Sequence, residues 1–351
     1  MRVALNLVDE LQRRGHDVEV AAGSPRSRPE PITVDNISVR LFRAMPVVPV
    51  GGPGSLSAGL LIWMTRRASH FDVVHVHTGR DLTGLAALQL AQILRLPTVV
   101  QTHGMVTPDP RPAARALDLV ATRRLLGRAK VRLTLNAREE SDLRAVLGQQ
   151  LVTPLYNGVR QADARTSVPS SPREVLFLAR LHPRKRPLLF VHAAVRLAKD
   201  YPDVFWTIVG PDGGELPAVL RAVADSGVPG LRYEGAIPYE AVLPRLSQAT
   251  IYVLPSVDEP FPMTLLEALS VGVPSICMSD CGIADILTGL GAAKIAETDD
   301  VDALTASIRE LLDAPEDAQA MAMAGRRAVR DHFSIEAVVD KLETVYAAHL
   351  R

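Results

Sequence analysis

The segment DEPFPMTLLEALSVGVP, residues Asp258 to Pro274, follows a predicted strand and contains a predicted helix. Ile251–Pro255 is short, apolar and β-branched and ends in proline, which predicts a buried strand. Met263–Val271 has helical composition, so Glu259 falls in the loop after the strand and Glu267 about one turn inside the helix. The pattern therefore predicts two carboxylates that face one crevice.

This arrangement has two interpretations. Ligands of open parallel sheets bind beyond the carboxyl ends of strands, and the free N–H groups of a helix N-terminus favour an anion. The functional interpretation is a phosphate site flanked by Glu259 and Glu267. The structural alternative is two solvated glutamates on a helix that packs through Leu265, Leu266 and Leu269.

A basic loop follows another predicted strand, Glu174–Ala179. The sequence RLHPRKR, from Arg180 to Arg186, holds four cations that would repel one another without a counter-anion. Because the loop lies at the carboxyl end of a strand, a phosphate-bearing ligand is favoured over an exposed basic turn. Gly210 and Gly235 are either turn residues or points where backbone approaches a ligand.

Strands alternate with helices along the chain, which predicts an α/β fold with doubly wound parallel sheets. The length of 351 residues suggests two domains. The polar segment Arg160–Pro172, rich in Pro, Ser and Ala, is the predicted boundary. We expect a first domain over 1–160, a second over 173–333, and a C-terminal helix over 334–351 that packs back toward the first domain.

Composition argues against several classes of protein. The apolar stretch Leu60–Met64 is far too short to span a bilayer, and the N-terminus shows no signal-peptide pattern. Cys277 and Cys281 are the only cysteines, and without a neighbouring histidine they indicate packing rather than a zinc site or a disulfide framework. No glycine-rich dinucleotide motif, P-loop or Ser/His/Asp arrangement is present. A reducing, cytoplasmic location is the expectation.

The net charge is zero, but the charge is unevenly spread. Residues 1–165 carry 22 basic and 14 acidic side chains, whereas residues 166–351 carry 17 and 25. Much of the basic excess lies between Arg111 and Arg144. A solvated helical face would explain it, and the alternative is peripheral contact with anionic lipid at the inner face of a membrane, or with a phosphorylated acceptor. Aromatic residues are few, so nucleic acid is not an expected partner.

Three histidines, His75, His77 and His103, lie at or near the ends of successive predicted strands. A metal cluster is one interpretation, but no carboxylate or cysteine accompanies them at ligand spacing. We interpret His75 and His77 as structural. His103, followed by Gly104 at the carboxyl end of its strand, is better placed to reach a ligand.

Together these motifs closely resemble those of the nucleotide-sugar-dependent retaining glycosyltransferases of family 4, which have the GT-B fold of two facing Rossmann-like domains. The resemblance covers nearly the whole chain and is stronger in the second half. The matching segments of the second half are Ala179–Lys185, Ile208–Gly213, Tyr233–Ala236, Ala249–Ser256 and Glu259–Pro274. Those of the first half are Leu11–Val20, Asp72–His77, Thr102–Gly104 and Asn157–Val159.

The resemblance implies a role for each matching position. Among the catalytic residues, Arg180 and Lys185 would clamp the donor diphosphate, and Glu259 would hold hydroxyls of the donor sugar. His103 would face the anomeric centre from the opposite domain. Glu267 would accept hydrogen bonds from the ribose hydroxyls. The remaining donor-binding positions are Phe261, Met263 and Thr264 near sugar or phosphate, Gly210, and Ala236 and Ile237 beside the base.

The implied reaction moves a sugar from a nucleoside-diphosphate donor to an acceptor hydroxyl with retention of configuration. Negative charge develops on the leaving oxygen, and Arg180, Lys185 and helix N–H groups would stabilise it, so no metal or other cofactor is expected. Retention is compatible with Glu259 as a nucleophile or with a front-face route in which the leaving phosphate deprotonates the acceptor. The resemblance favours the front-face route.

Several positions depart from the family pattern. The family begins with a strand and a glycine-rich turn, whereas Met1 already falls inside the first predicted helix. We therefore expect the first domain to lack a central strand and to leave neighbouring backbone unpaired, with the true start upstream or the chain truncated. Pro262 removes an N–H donor, Asp285 stands where Glu is usual, and Arg160 stands where Asp is usual.

Two other functions stay open at this point. The missing strand is compatible with a catalytically silent GT-B partner that binds a nucleotide sugar, and a GT-B sugar-nucleotide epimerase is a third hypothesis. The resemblance implies cell-envelope polysaccharide or glycolipid synthesis, with a carbohydrate, lipid-linked or small-molecule acceptor. The donor base, the sugar and the oligomeric state do not follow from the sequence.

Overall fold

The computed structural model describes residues 2–25, 31–34, 36–48, 52–162 and 173–349. The chain forms two compact units, of which the first comprises Met1–Gly158 with Ile335–Arg351 and the second comprises Val159–Ser334. Most of the linker predicted from Arg160 to Pro172 lies outside the described residues.

The first unit is built of short strands and helices that alternate. Its strands are β1 (Val20–Ser24), β2 (Pro31–Val34), β3 (Ile37–Arg43), β4 (Met45–Pro46), β5 (Ser55–Leu56), β6 (Val74–His77), β7 (Thr98–Gln101), β8 (Val131–Thr134) and β9 (Thr153–Pro154). Its helices are α1 (Arg2–Arg13), α2 (Ala58–Arg67), α3 (Leu82–Ile93), α4 (Pro112–Leu117), α5 (Arg123–Arg128) and α6 (Ala137–Leu147). A π-helical turn, Asp118–Thr122, joins α4 to α5, and 3-10 turns occupy Gly52–Gly54 and Ala68–His70.

The strands of the first unit form two main sheets rather than one. Strands β6, β7, β8 and β9 pair in that order, all parallel. Strands β1, β3 and β2 form a second sheet, in which β2 and β3 are an antiparallel hairpin. The parallel sheet was predicted, but the split and the hairpin were not. Strand β2 is mostly exposed and begins with proline, so no pattern of burial marks it in the sequence.

The second unit alternates strand and helix more regularly. Its strands are β10 (Arg173–Leu178), β11 (Val204–Val209), β12 (Leu231–Gly235), β13 (Ile251–Leu254), β14 (Ser275–Met278) and β15 (Lys294–Ala296). Its helices are α7 (Pro187–Leu197), α8 (Leu216–Ser226), α9 (Val242–Ser247), α10 (Met263–Val271), α11 (Ala284–Gly289), α12 (Val301–Asp313) and α13 (Pro315–Ala328). Short 3-10 turns occupy Pro183–Lys185 and Tyr239–Ala241, and a π turn occupies Val329–Phe333.

The six strands of the second unit form one parallel sheet in the order β12, β11, β10, β13, β14, β15. The predicted doubly wound parallel sheet is confirmed here. Strands β13 and β14 are buried throughout, and the side chains of Phe177, Trp206 and Tyr252 are fully buried. Burial of this extent is typical of a parallel sheet that is covered by helices on both faces. The strand order reverses between β10 and β13, which creates a crevice at the carboxyl edge.

The last helix, α14 (Ile335–His349), belongs to the first unit. Val339 and Leu342 share a buried cluster with Leu7 and Leu11 of α1. The guanidinium of Arg14 also binds the carboxylates of Asp340, at 2.6 Å, and Glu343, at 2.8 Å. Helix α14 is thus held against α1 and Arg14 by both apolar packing and ion pairs.

Two sequence expectations concern features outside the sheets. Among the described residues, no helix combines the length and the apolar character needed to cross a bilayer. Cys277 and Cys281 are both buried and both carry free thiols, so the expectation of packing residues rather than a disulfide is confirmed.

Candidate functional site

The candidate site of the second unit lies at the carboxyl edge of its sheet. Because the strands are parallel, the segments that follow them emerge at one edge. Arg180 follows β10, Gly210 follows β11 and Ala236 follows β12. Glu259 follows β13, in the loop that leads into α10. The structure therefore brings the basic loop and the two-glutamate segment to the same edge.

Gly210 is the point of closest backbone approach at this edge. Its φ of +148° lies outside the range that other residues readily adopt, and a Cβ there would overlap the carbonyl oxygen of Ala179. The N–H of Gly210 donates to the carbonyl of Gly235 at 2.9 Å, and its carbonyl accepts from the hydroxyl of Tyr233 at 2.8 Å. Gly210 therefore lies where the carboxyl ends of three neighbouring strands, β10, β11 and β12, come together.

Arg180 presents an unpaired guanidinium at the edge. The residue is exposed, and its side chain has no hydrogen bond or ion pair with any described residue. A Cβ on Gly213 would lie 2.8 Å from Cγ of Arg180, so that glycine makes room for the arginine stem. A cation that is supported along its stem and free at its tip is suited to an anionic ligand.

Lys185 and Glu259 form an ion pair between the two loops. The side chains are 25% and 14% exposed, so the pair is partly shielded from water. Arg184 reinforces the connection, because its carbonyl accepts from the N–H of Val257 at 2.8 Å and its guanidinium donates to the carbonyl of Asp258.

These pairs correct part of the reasoning from charge. Four cations in the loop were expected to require a ligand anion, but Lys185 pairs with Glu259 and Arg186 pairs with Asp299. The protein itself therefore supplies two of the counter-anions. Arg180 is the loop cation that the described residues leave without a partner.

The turn that carries Glu259 is held by neighbouring loops. Asp258 has a φ of +50°, and its N–H donates to Oδ2 of Asp280 at 2.8 Å. The carbonyl of Glu259 accepts from the N–H of Gly282 at 2.9 Å. Thr298 in turn donates to Oδ1 of Asp280 at 2.9 Å. Asp280 thus positions the turn, and sequence reasoning missed it because no local pattern links it to Glu259.

Helix α10 begins at the edge without a side-chain cap. Its N-cap residue is Pro262, and the first helical residues are Met263 and Thr264. The N–H groups of a first helical turn have no partner inside the helix, so they are available to an anion. Phe261, just before the helix, is buried and packs edge-on against Phe333 with ring centroids 6.1 Å apart. Phe261 can therefore contribute backbone but little side-chain surface to a ligand.

Glu267 is buried in the second turn of α10. It is 8% exposed, and the hydroxyl of Tyr239 donates to its Oε1 at 3.2 Å. Leu265, Leu266 and Leu269 are buried as the structural interpretation expected, but the glutamates of the segment are not solvated. Tyr239 is a site residue that the sequence did not single out, although it follows Ala236 and Ile237 in the loop after β12.

In the first unit, His103 lies in the turn that follows β7. It has a left-handed φ of +51°, and its Nε2 lies 2.7 Å from Nδ1 of His77. The rings of His75 and His77 stack with centroids 4.5 Å apart, and those of His77 and His103 with centroids 5.0 Å apart. The three histidine rings thus form one stack. Tyr346 lies at the His75 end of this stack, with its hydroxyl 2.8 Å from Nδ1 of His75.

Burial keeps the three stacked histidines neutral. Burial lowers the pKa of His103 to about 4 and that of His75 to about 3, and it holds the pKa of His77 well below its ordinary value. At neutral pH one ring of the His77–His103 pair therefore donates and the other accepts. His77 was interpreted as structural, but the structure shows that it contacts His103 directly.

The metal interpretation of the histidines finds no support in the geometry. Within the part of the chain that the structure describes, no group of three His, Cys, Asp or Glu side chains is arranged to hold a metal ion. Nε2 of His75 is buried without a hydrogen-bond partner, and so are both amide atoms of the neighbouring Gln101.

Glu139 holds the His103 turn from both sides. The buried carboxylate accepts from the hydroxyl of Thr102 at 2.5 Å and from the N–H of Gly104 at 2.6 Å. Its other oxygen accepts from the N–H of Leu135 at 2.7 Å. Sequence reasoning missed this residue. The available signal was the spacing of Asn136 and Glu139, which is typical of a helix N-terminus, and Asn136 does cap α6.

Two family models divide the chain between them. Residues 159–328 match the model described as glycosyl transferases group 1, and residues 1–158 match the model described as glycosyl transferase 4-like domain. This chain belongs to the family 4 glycosyltransferases. The resemblance found in the sequence and the predicted GT-B fold are thereby confirmed.

Individual relatives of this glycosyltransferase agree with the family assignment. The glycogen synthase of Mycobacterium tuberculosis is 27% identical over 86% of this chain and 75% of its own length. D-inositol 3-phosphate glycosyltransferase 1 of Catenulispora acidiphila is 26% identical over 94% of this chain and 85% of its own length. The crystal structure of Anabaena Alr3699/HepE in complex with UDP has a TM-score of 0.75 at 16% identity, over 89% of this chain and 87% of that one.

Proposed function

We propose that this glycosyltransferase moves a sugar from a nucleoside-diphosphate donor to an acceptor hydroxyl, with retention of anomeric configuration and without a metal ion. The observation that carries the proposal is the unpaired guanidinium of Arg180 at the sheet edge that also presents the uncapped N-terminus of α10. Positive charge and free N–H groups at one edge suit a diphosphate.

The diphosphate is the leaving group in this proposal. As the bond between sugar and phosphate breaks, negative charge accumulates on the phosphate oxygen, and donors that are already in place stabilise it. Arg180, Lys185 and the N–H groups of Met263 and Thr264 would fill that role. They would supply the positive charge that a divalent metal supplies in metal-dependent phosphate chemistry.

The pairing of Glu259 bears on the route of retention. A carboxylate that is paired with the ammonium of Lys185 is a weak nucleophile, because the ion pair stabilises the oxygen lone pairs that would attack the anomeric carbon. We therefore favour the front-face route, in which the leaving phosphate takes the acceptor's proton. Glu259 would hold hydroxyls of the donor sugar, and the neutral His103 would exchange hydrogen bonds with the sugar rather than act as an acid.

The nucleoside would occupy the loops beyond β12 and the second turn of α10. Glu267 would accept hydrogen bonds from the ribose, with Tyr239 holding its carboxylate. The backbone at Ala236 and Ile237 would lie beside the base, and Gly210 would allow the close approach of main chain to ligand.

The relatives guide the choice of substrates to test. Alr3699/HepE was crystallised with UDP, and the curated relatives are named for glycogen synthesis and for transfer to D-inositol 3-phosphate. UDP-sugars and carbohydrate or polyol acceptors, including cell-envelope glycans, are thus the first candidates. The comparisons do not favour a silent partner or an epimerase.

The test is an activity panel with the purified chain. Labelled UDP-, ADP- and GDP-sugars are incubated with each acceptor class, with EDTA and without it, and the product configuration is read by NMR. Transfer with retained configuration in the presence of EDTA is expected. Inverted product or complete loss of transfer in EDTA would overturn the finer proposal. Donor binding without turnover would identify a silent partner, and an epimerised donor would identify an epimerase.

A further inference from the structure

A basic cavity of about 440 Å³ lies in the first unit, away from the His103 turn. Thr98, the first residue of β7, lines the cavity, whereas His103 follows the last residue of that strand. The cavity therefore opens at the amino end of the strand, and its residues have no part in the proposed transfer reaction.

The cavity is lined by cations without acidic partners. Arg95, Arg124, Arg128 and Lys130 line it, and its lining includes no carboxylate. None of these four side chains has a hydrogen bond or ion pair with a described residue. Like charges gathered around one concavity repel one another, so an anion in the cavity would relieve that repulsion.

Exposed apolar side chains lie in the cavity lining and on the helical segment that leads into it. Ile93, which lines it, is 67% exposed. Leu119 and Val120 are 71% and 73% exposed, and they lie about one helical turn before Arg123 and Arg124. Large aliphatic side chains with this much exposure, clustered beside cations, are unusual on a surface that faces only water.

The fold holds Leu119 and Val120 outward. They lie in the π turn between α4 and α5, directly after Asp118. Asp118 is buried and accepts two hydrogen bonds from Arg80, at 2.8 and 2.9 Å. Arg80 also donates to the carbonyl of Thr107 at 2.6 Å. This anchor turns one side of the segment inward, so the two following residues face solvent.

We propose that the basic cavity and this apolar rim form a docking surface for an anionic phospholipid bilayer. Lipid phosphates would enter the cavity between the four cations, and Ile93, Leu119 and Val120 would insert at the level of the headgroups. The apolar rim decides between a lipid headgroup and a free phosphate, since a dissolved phosphate gains nothing from aliphatic neighbours.

The test measures co-sedimentation of the full chain with vesicles at about 0.15 M salt. One vesicle type is pure phosphatidylcholine, and the other contains roughly one third phosphatidylglycerol. Binding to the anionic vesicles and not to the neutral ones is expected. Equal binding to the two vesicle types, or binding to neither type, would overturn the proposal. If the chain binds neither vesicle type, an acidic protein becomes the partner to examine.

Three double variants locate the surface. In Arg124→Ser/Arg128→Ser, vesicle affinity should fall by about fivefold for each arginine removed. In Leu119→Ser/Val120→Ser it should fall by about tenfold. The matched control is Leu220→Ser/Arg221→Ser on α8 of the second unit, where both residues are also exposed, and it should bind like the parent chain. A control that loses as much affinity as the others would show a diffuse charge effect and refute the assignment.

A last arm separates lipid from dissolved phosphate. Inorganic phosphate replaces chloride at equal ionic strength while the vesicles are held constant. Displacement by phosphate, combined with unchanged binding of Leu119→Ser/Val120→Ser, would assign the cavity to a soluble phosphate compound and refute membrane docking. Thermal unfolding of each variant verifies folding, and unchanged midpoints are expected because all four substituted positions of the two test variants are exposed.

Discussion

The ammonium of Lys185 pairs with the carboxylate of Glu259, 74 residues further along the chain. The resemblance assigns these side chains to different parts of the donor, the diphosphate and the sugar. Their pairing means that the cation and the carboxylate position one another before any donor arrives. A substitution at either position therefore changes both the charge at the site and the position of the partner.

We expect Lys185→Met and Glu259→Gln to be energetically coupled. Removing one partner leaves the other charge partly buried and unpaired, whereas removing both leaves none. The free energies of unfolding in urea should therefore be non-additive, with a coupling of about 1 kcal/mol. Additive single and double variants would show that the ion pair does not persist in solution.

Arg180→Ala should impair catalysis and leave stability unchanged. The guanidinium has no hydrogen bond or ion pair with the described residues, so its loss breaks none. If it binds the leaving diphosphate, kcat/KM should fall by about 100-fold or more. The control is Arg221→Ala, another exposed arginine without a described partner, which should retain full activity. Equal kcat/KM values for the two variants would remove Arg180 from the site.

Glu139→Ala should destabilise the first unit strongly. The substitution leaves the hydroxyl of Thr102 and the N–H groups of Gly104 and Leu135 without their acceptor, at about 1–3 kcal/mol for each buried donor. The neighbouring Glu140→Ala removes only an i,i+4 ion pair with Arg144, which contributes about 0.5 kcal/mol. Urea unfolding of both variants measures the difference. Similar losses in the two would mean that the His103 turn is held in another way.

Gly210→Ala should destabilise the second unit because its Cβ would overlap the carbonyl of Ala179. We expect a loss of about 3 kcal/mol or more, from overlap and from backbone strain. Gly214→Ala is the matched control, since Gly214 also has a positive φ, +109°, but open space around it. Thermal unfolding should therefore show a clearly smaller loss for the control. If both lose the same stability, the strain comes from φ alone.

Stability should decrease as the pH falls from about 7 toward 4. The folded-state pKa values of His75, His77 and His103 are lowered by burial, so the unfolded chain takes up protons near pH 6.5 while the folded chain does not. Each neutral histidine contributes up to about 1.4 kcal/mol per pH unit within this window, and the effect levels off below the folded pKa.

Urea unfolding between pH 4 and 8 measures this slope, with pH values set about half a unit apart. His77→Gln should make the slope shallower, because it removes one of the three histidines whose pKa is lowered by burial. A parent chain whose stability is independent of pH over this range would show that the folded chain takes up protons as readily as the unfolded chain, so burial would not keep the histidines neutral.

The fold was predictable where the local pattern and the final environment agree. Strands β13 and β14 are buried throughout, as expected where helices cover both faces of a sheet, and the apolar residues of β13 marked it in the sequence. Helix α10 follows the composition of Met263–Val271. In the first unit the exposed hairpin strand β2 and the π turn at Asp118 escaped prediction. Neither feature has an apolar period: β2 is held by its hairpin partner Ile37–Arg43, and Asp118 is held by Arg80, which lies 38 residues earlier in the chain.

The candidate site likewise has a part that the sequence predicts and a part that only the tertiary structure shows. The sequence by itself determined which segments emerge at the carboxyl edge of the second sheet, because parallel alternation of strands and helices places Arg180, Gly210 and Glu259 after β10, β11 and β13. Only the tertiary structure decided which charges are already paired, namely Lys185 with Glu259, and which is free, namely Arg180. The tertiary structure also revealed three residues that hold parts of the sites, namely Asp280 at the Glu259 turn, Tyr239 at Glu267 and Glu139 at the His103 turn. The physical reason is that secondary structure follows the spacing of neighbouring residues, whereas ion pairs and buried hydrogen bonds join residues that are distant in sequence.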